Sequence, residues 1–278
     1  MVAMPIGNPR DLSERTLSTL AAADLIACED TRRLAPTLAA HAINTRTVSY
    51  FEHNEEHRVP ELVERMIAGA KIALVSDAGT PCVSDPGFRL VRAAREAGVR
   101  VTAVPGPSAV IAALSIAGLP TDRFTFEGFV PNGKGGREAC LRRLADETRT
   151  MVFYESPRRL ESTLVQMTEV FGASRLAAVV REITKTHEET VRGTLEYLAA
   201  HFRAEPALGE ITIVVAGADE AKDRADSAAE SFVVTVAMLC DAGLGLKQAS
   251  DLLARATGRG RREVYQAELA RRAARKHQ

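Results

Sequence analysis

Apolar and polar positions alternate in blocks along the chain, and each block has a recognisable period. Leu25 to Cys28 is a short apolar run, and Lys71 to Ser76 (KIALVS) and Val99 to Val104 (VRVTAV) are apolar or half-apolar runs ended by Gly/Pro turns. They read as strands. Asp11 with Glu14 reads as a capping box opening a helix through Ala23. A helix is expected from Gly87 to Ala97, and Ser108 is placed to cap another that stops at Gly118. The second half repeats the pattern. Strands are expected at Phe124–Phe129, Thr150–Tyr154, Leu176–Val180 and Glu210–Ala216, with helices at Arg137–Glu147, Pro157–Phe171 and Thr194–Phe202. Such alternation predicts an α/β fold with mainly parallel sheets covered on both faces.

Leu119-Pro120-Thr121-Asp122 reads as a linker, and residues 218–230 as an exposed linker or helix start. Beyond it, three short helices are expected at about Ala229–Cys240, Leu246–Ala256 and Arg261–Lys276. With 278 residues, the chain divides into 1–119, 120–218 and a small helical extension, 229–278. A hydrophobic share of 46% against 26% charged supplies a core. No apolar run approaches the roughly 18 residues of a membrane span, and Met1 to Arg10 lacks a signal-peptide layout. The four cysteines are far apart with no CxxC pair. That argues against a zinc ribbon or disulfide framework and for a reducing cytoplasm.

Charge changes the picture at one end. The 36 basic and 36 acidic residues balance, but Lys247 to Gln278 carries nine Lys or Arg and three Asp or Glu. This net +6 tail suits either a nucleic-acid contact or a solvated amphipathic helix.

The densest chemistry lies in turns after strands. Ser76-Asp77-Ala78-Gly79-Thr80-Pro81-Cys82-Val83-Ser84-Asp85-Pro86-Gly87 joins a strand to a helix, where open α/β sheets bind ligands. Asp77 and Asp85 can accept hydrogen bonds from hydroxyls or an amine, and the loop exceeds what a turn needs. Pro105-Gly106-Pro107-Ser108-Ala109 follows the next strand and suits the second wall of one pocket. Pro5-Ile6-Gly7-Asn8-Pro9 is a third such loop, with only Val2 to Met4 as its strand. Cys28-Glu29-Asp30-Thr31-Arg32 sets two carboxylates beside an arginine, suiting either a substrate-positioning base or an ordinary helix start. Arg181-Glu182-Ile183-Thr184-Lys185-Thr186-His187-Glu188-Glu189 suits phosphate contacts and proton handling, or a solvated ion-pair loop. His53 and His57 are four apart but lack the HExxH order, so surface histidines are favoured over zinc. Gly128 to Gly135 has GxxxxGK spacing but lacks the magnesium-binding hydroxyl, and GxGxxG is absent.

Taken in order, "PIGN", "CEDTR", "HNE", "VSDAGTP…SDPG", "PGPSA", "GLPTDRF", "FEGF", "FYESPRR", "REITKTHEE" and "GE" span Pro5 to Glu210. This series resembles the ribosomal RNA small-subunit methyltransferase I group of the tetrapyrrole-methylase superfamily. Cys82 departs from it, standing where that group usually has Gly. The resemblance implies two doubly wound α/β domains with a small C-terminal extension, and S-adenosylmethionine as donor with no metal. It implies 2′-O-methylation of a cytidine ribose in the decoding region of 16S rRNA, within the 30S subunit, by a homodimer. By the same resemblance Pro5, Ser76, Asp77, Ala78, Gly79, Thr80, Ser84, Pro107 and Ser108 line the donor, and Tyr154 with the stretch near Gly209 closes it. Asp30 and Glu29 are the candidate bases, with Lys185 as cation or alternative base. Arg32, Asn54, Arg181 and Glu182 face the RNA, joined by Arg259, Arg261, Arg262 and Arg271 of the tail. Two alternatives stay open: a superfamily methylase acting on a corrin-like ring or a protein, and a catalytically idle RNA-binding homologue.

Overall fold

The protein is described from a computed structural model that covers residues 1–218, 239–240, 244–257, 260–262, 264–266 and 269. Met1–Gly217 form one compact unit and Ala218–Gln278 a second.

The first unit contains two sheets. β1 (Leu25–Cys28) is central in the first, flanked in parallel by β2 (Thr47–Ser49) and β3 (Ile72–Val75). Alternate residues point to opposite faces. Ile26, Cys28, Ala73 and Val75 pack with Leu20, Leu34 and Leu38, whereas Leu25, Ala27 and Leu74 pack with Tyr50, Leu62 and Leu90. Apart from Tyr50, which follows β2, those partners come from α1 (Glu14–Ala21), α2 (Thr31–Ala40), α3 (Glu55–Ile67) and α4 (Phe88–Glu96). Ser13, not Asp11, caps α1, because its hydroxyl accepts from Thr16 N at 3.0 Å while Asp11 closes a short 3₁₀ turn. The expected strand at Val99–Val104 does not form. Only Val104 bridges, in parallel, to Val2. Val2 N in turn donates to Leu74 O at 2.9 Å, so Val2 to Met4 fill the sheet edge.

The second sheet has the order β4 (Phe124–Phe129), β5 (Thr150–Glu155), β8 (Ile211–Val215), β6 (Leu176–Arg181), β7 (Glu189–Thr194). The β4–β5 pair is parallel and the other three pairings are antiparallel, so the mainly parallel expectation holds for the first sheet only. The cause is a hairpin: Arg181 to Glu189 reverses the chain, and β7, polar and partly exposed, closes the edge beside β6. One face packs on α6 (Lys134–Arg143), α7 (Leu160–Phe171) and α8 (Leu195–Ala204), with Phe153, Met151 and Ile213 fully buried. The other face, through Val152, Ala178, Val180 and Val214, meets α5 (Ala109–Ala117) by Val110, Ala113, Leu114 and Ala117. Thus a helix that precedes the Leu119–Asp122 linker covers the sheet that follows it. Gly118 ends α5 in the left-handed conformation.

In the second unit α9 (Leu246–Thr257) has Ala249, Leu253 and Ala254 packed with Val264. The helices expected at Ala229–Cys240 and Arg261–Lys276 fall largely outside the described residues.

Candidate active site

The turns after β1, β2 and β3 leave from one end of a parallel sheet, where the strand ends leave room for a ligand. Residues 76–87 are held at several points. Ser76 Oγ donates to Ala78 O at 2.9 Å. Gly79 exchanges two backbone bonds with Met4, of 2.8 and 3.1 Å. Thr80 Oγ1 donates to Pro107 O at 3.2 Å. The last contact joins the two loops assigned to opposite walls of one pocket. Cys82 (φ 72°) and Ser84 (φ 63°) adopt positive φ, which is costly for residues carrying Cβ.

Between these loops and the second sheet lies a cavity of about 380 Å³. Ala78, Gly79, Thr80, Ser84, Asp85 and Ser108 line it from the first half. Phe129, Tyr154 to Pro157, Ile183 and Gly209 to Thr212 line it from the second. Its lip is braced by Glu155. This carboxylate is fully buried and accepts from Ser156 N (2.7 Å), Arg159 Nε (2.8 Å) and Thr163 Oγ1 (2.7 Å). Those bonds account for the "FYESPRR" segment, since a buried carboxylate needs all its acceptors satisfied.

A second cavity of about 290 Å³ adjoins the first, sharing Ile6, Ala78 and Glu210, and is lined by Pro5, Ser76, Asp77, Arg33 and Lys185 among others. Asp77 and Arg33 also border an open groove of about 580 Å³ that holds Glu29, Asp30, Arg32, Ser49 and Phe51. The structure therefore gathers Pro5, Ser76, Asp77, Ala78, Gly79, Thr80, Ser84, Ser108 and Tyr154, the residues expected to meet the donor, into two adjoining cavities. Pro107 lines neither and contributes its carbonyl to Thr80. Glu29, Asp30 and Arg32 share the groove, and Lys185 stands apart from them in the second cavity.

The charged groups differ in environment. Asp30 caps α2 through Arg32 N (2.9 Å) and accepts from Arg32 Nε and Nη2 (3.0 and 2.8 Å). The Arg32 guanidinium holds its carboxyl down to about 2. Burial, then the Asp77 charge, raises Glu29. Burial, then the Glu29 charge, pushes Asp85 up to about 6. Burial pulls Lys185 down, but bonds to Glu182 (2.8 Å) and Glu210 (3.1 Å) outweigh it and hold the ammonium charged. Tyr154 is raised by burial and then by Asp85, while Phe126 and Phe129 pack on its ring at 4.9 and 5.5 Å between centroids.

Of the other residues expected to face RNA, Asn54, Arg181 and Glu182 line none of these spaces. Asn54 is engaged internally, accepting from Phe51 N and donating to Ser49 O. Arg181 pairs with Glu189, and Glu182 with Lys185. In the second unit Arg261 lies 3.5 Å from Asp251 and Arg262 is exposed. Arg259 and Arg271 lie outside the described residues. Sequence reasoning missed Arg33, Phe51, Phe129 and Glu155 as lining residues. Phe129 and Glu155 nevertheless sit within the segments "FEGF" and "FYESPRR". Among the described residues no group of His, Cys, Asp or Glu is placed to hold a metal ion.

Residues 1–199 match the family of Tetrapyrrole (Corrin/Porphyrin) Methylases. The chain is 47% identical to ribosomal RNA small subunit methyltransferase I of Mycobacterium tuberculosis (strain CDC 1551 / Oshkosh), covering 96% of this chain and 93% of that protein. The chain belongs to the ribosomal RNA small subunit methyltransferase I family. The Synechocystis member (strain ATCC 27184 / PCC 6803 / Kazusa) is 44% identical across 97% of this chain and 96% of its own length. As a member of this family the protein is a methyltransferase of α/β fold. Uroporphyrin-III-C-methyltransferase from Thermus thermophilus shares that fold, with a TM-score of 0.54 at 21% identity over 77% of this chain and 91% of its own.

Proposed function

We propose that the protein transfers a methyl group from S-adenosylmethionine to the 2′-hydroxyl of a cytidine ribose in the decoding region of 16S rRNA, acting on the 30S subunit. The observation that carries this reading is the match over nearly the full chain to family members named for small-subunit rRNA methylation. The cavities add chemical support. Ile6, Val83, Ile183 and Phe129 offer apolar walls suited to an adenine and a thioether stem. Ser84, Ser108 and Thr212 offer hydroxyls, and Asp85 and Glu210 offer carboxylates to a cationic ligand with an amino group. The residues present therefore fit such a donor. When bound, its sulfonium supplies a methyl carbon already activated toward nucleophiles.

The chain's own task is to place the 2′-oxygen in line and remove its proton. Glu29 borders the open groove and is raised, which makes it a better base near neutrality than Asp30. We assign proton removal to Glu29. Asp30, clamped by Arg32, sets the direction of that guanidinium toward a phosphate. Lys185, held charged, acts as a cation facing the second cavity. Residues 1–119 carry the donor and acceptor loops, 120–218 close the cleft, and the basic 229–278 extension binds RNA. The protein acts as a cytoplasmic homodimer. Among the described residues no helix is long and apolar enough to cross a membrane.

The test is methyl transfer from labelled donor to 30S subunits lacking the modification, followed by digestion to nucleosides. Label is expected in 2′-O-methylcytidine. Donor binding without label in RNA would overturn the reading.

A further inference from the structure

Glu55 belongs to the "HNE" segment, and no role in the reaction described above uses it. It is the first residue of α3 and is 7% exposed. Its side chain turns away from its own helix. Oε1 accepts from the Tyr50 hydroxyl at 2.8 Å and from Gly87 N at 3.0 Å, and Oε2 lies 3.5 Å from Arg89 Nε. One carboxylate thus joins the segment after β2, the last residue of the 76–87 loop and the first turn of α4.

Each joined segment borders a different part of the cleft. Residues 83–85 line the 380 Å³ cavity, and Ser49 and Phe51 border the open groove with Glu29 and Asp30. The 76–87 loop also needs an external anchor at this end. Cys82, Ser84 and Gly87 all hold positive φ, with Gly87 at 140°. A Cβ at Gly87 would lie 2.7 Å from Cys82 Sγ and 2.9 Å from Leu74 Cδ2, and the φ of 140° strains any residue that bears one. A loop in such sparsely populated conformations persists only where its surroundings over-determine it. The beginning of the loop is held from outside by Met4 and Pro107 and from within by Ser76. At its end, Gly87 N donates to Glu55.

We infer that Glu55 is a positioning residue that holds the 83–87 arm of the donor loop against the 49–54 segment of the acceptor groove. This role rests on the proposed assignment of the two spaces to donor and RNA. It predicts that loss of the carboxylate weakens donor binding and transfer together, although Glu55 touches neither ligand.

The test compares Glu55→Ala with Glu55→Gln. The Gln carbonyl still accepts from Tyr50 and Gly87, so the conservative variant should rescue. In ligand-free protein that retains its circular dichroism, E55A should lose amide-exchange protection across 83–87 by about tenfold or more, and E55Q should stay within about threefold of wild type. Calorimetric titration with S-adenosylmethionine should show Kd raised about tenfold in E55A and near normal in E55Q. With 30S substrate, kcat should fall in E55A beyond the change in the KM for RNA. Unchanged exchange and donor Kd in folded E55A would overturn the inference, as would E55Q failing as badly as E55A. If wild-type protein binds no S-adenosylmethionine, the donor reading fails while the exchange comparison still decides the role of Glu55.

Discussion

The two sheets of the first unit use their residues differently. Strands of the first sheet are three or four residues long, and their turns hold Glu29, Asp30, Asp77 and Asp85 together with the positive-φ positions 82, 84 and 87. Strands of the second sheet run five or six residues; like the first sheet it is covered on both faces by apolar side chains, but along longer ladders. Short strands leave backbone free to bend around a ligand, and longer ladders supply burial. The difference teaches that stability and chemistry are weighted differently: the second sheet is chiefly a packed wall, lending Tyr154 and Thr212 to the cavity, against which the strained loops of the first are shaped.

The largest expected effect tests the wall. Phe153→Ala removes a fully buried ring from the middle of β5 and should cost about 3–5 kcal/mol, lowering the melting temperature by roughly ten degrees. A drop of only a degree or two would break the comparison. Next in size is Glu29→Gln. It should lower the rate of transfer by about a hundredfold or more, equal to about 2.7 kcal/mol, with melting temperature and donor affinity unchanged. A near-normal rate would remove Glu29 from proton transfer, and a large fall in melting temperature would show that the groove also carries stability.

Asp85 gives a pH signature. Its folded-state carboxyl is raised to about 6, above the unfolded value near 3.9. The native state therefore binds the proton more tightly. That contribution to stability is complete below the unfolded value and is lost as pH rises through about 6. Asp85→Asn should not show this loss. Urea titrations at pH 4 and pH 7.5 should find the variant gaining about 1–2 kcal/mol on wild type at the higher pH, the shift being discounted for partial solvent screening. A gap that narrows with pH would contradict the burial assigned to Asp85. The smallest effect concerns Cys82. With φ at 72°, Cys82→Gly relieves backbone strain but loosens the unfolded chain, so thermal melts should place it within about 1 kcal/mol of wild type. A larger loss would mean that Sγ packing near Gly87 dominates.

Much of this was legible from period and punctuation. β1, β3, β4, β5, β6 and β8 appear where apolar runs predict them, with ends shifted by a residue or two. The loops 5–9, 28–32, 76–87 and 105–109 are visible as acid-, glycine- and proline-rich turns after those runs. Two helices were less visible. α2 and α3 contain Pro36 and Pro60, whose missing N–H argues locally for a break, while burial of Leu34, Leu38 and Leu62 sustains each helix. β7 is a polar edge strand, so it lacks the apolar run that reveals its neighbours.

The sequence by itself determined the family, six of the eight described strands and which turns carry acids, because these depend on spacing along the chain and on side-chain type. Tertiary structure alone decided three things. The reversal at Arg181 to Glu189 makes most of the second sheet antiparallel. Arg32 clamps Asp30 and leaves Glu29 the raised carboxyl. Glu55 reaches Gly87 across 32 residues. Each depends on which groups meet in space and how much water remains around them, and a carboxylate's partners and burial are properties of the folded chain rather than of its order.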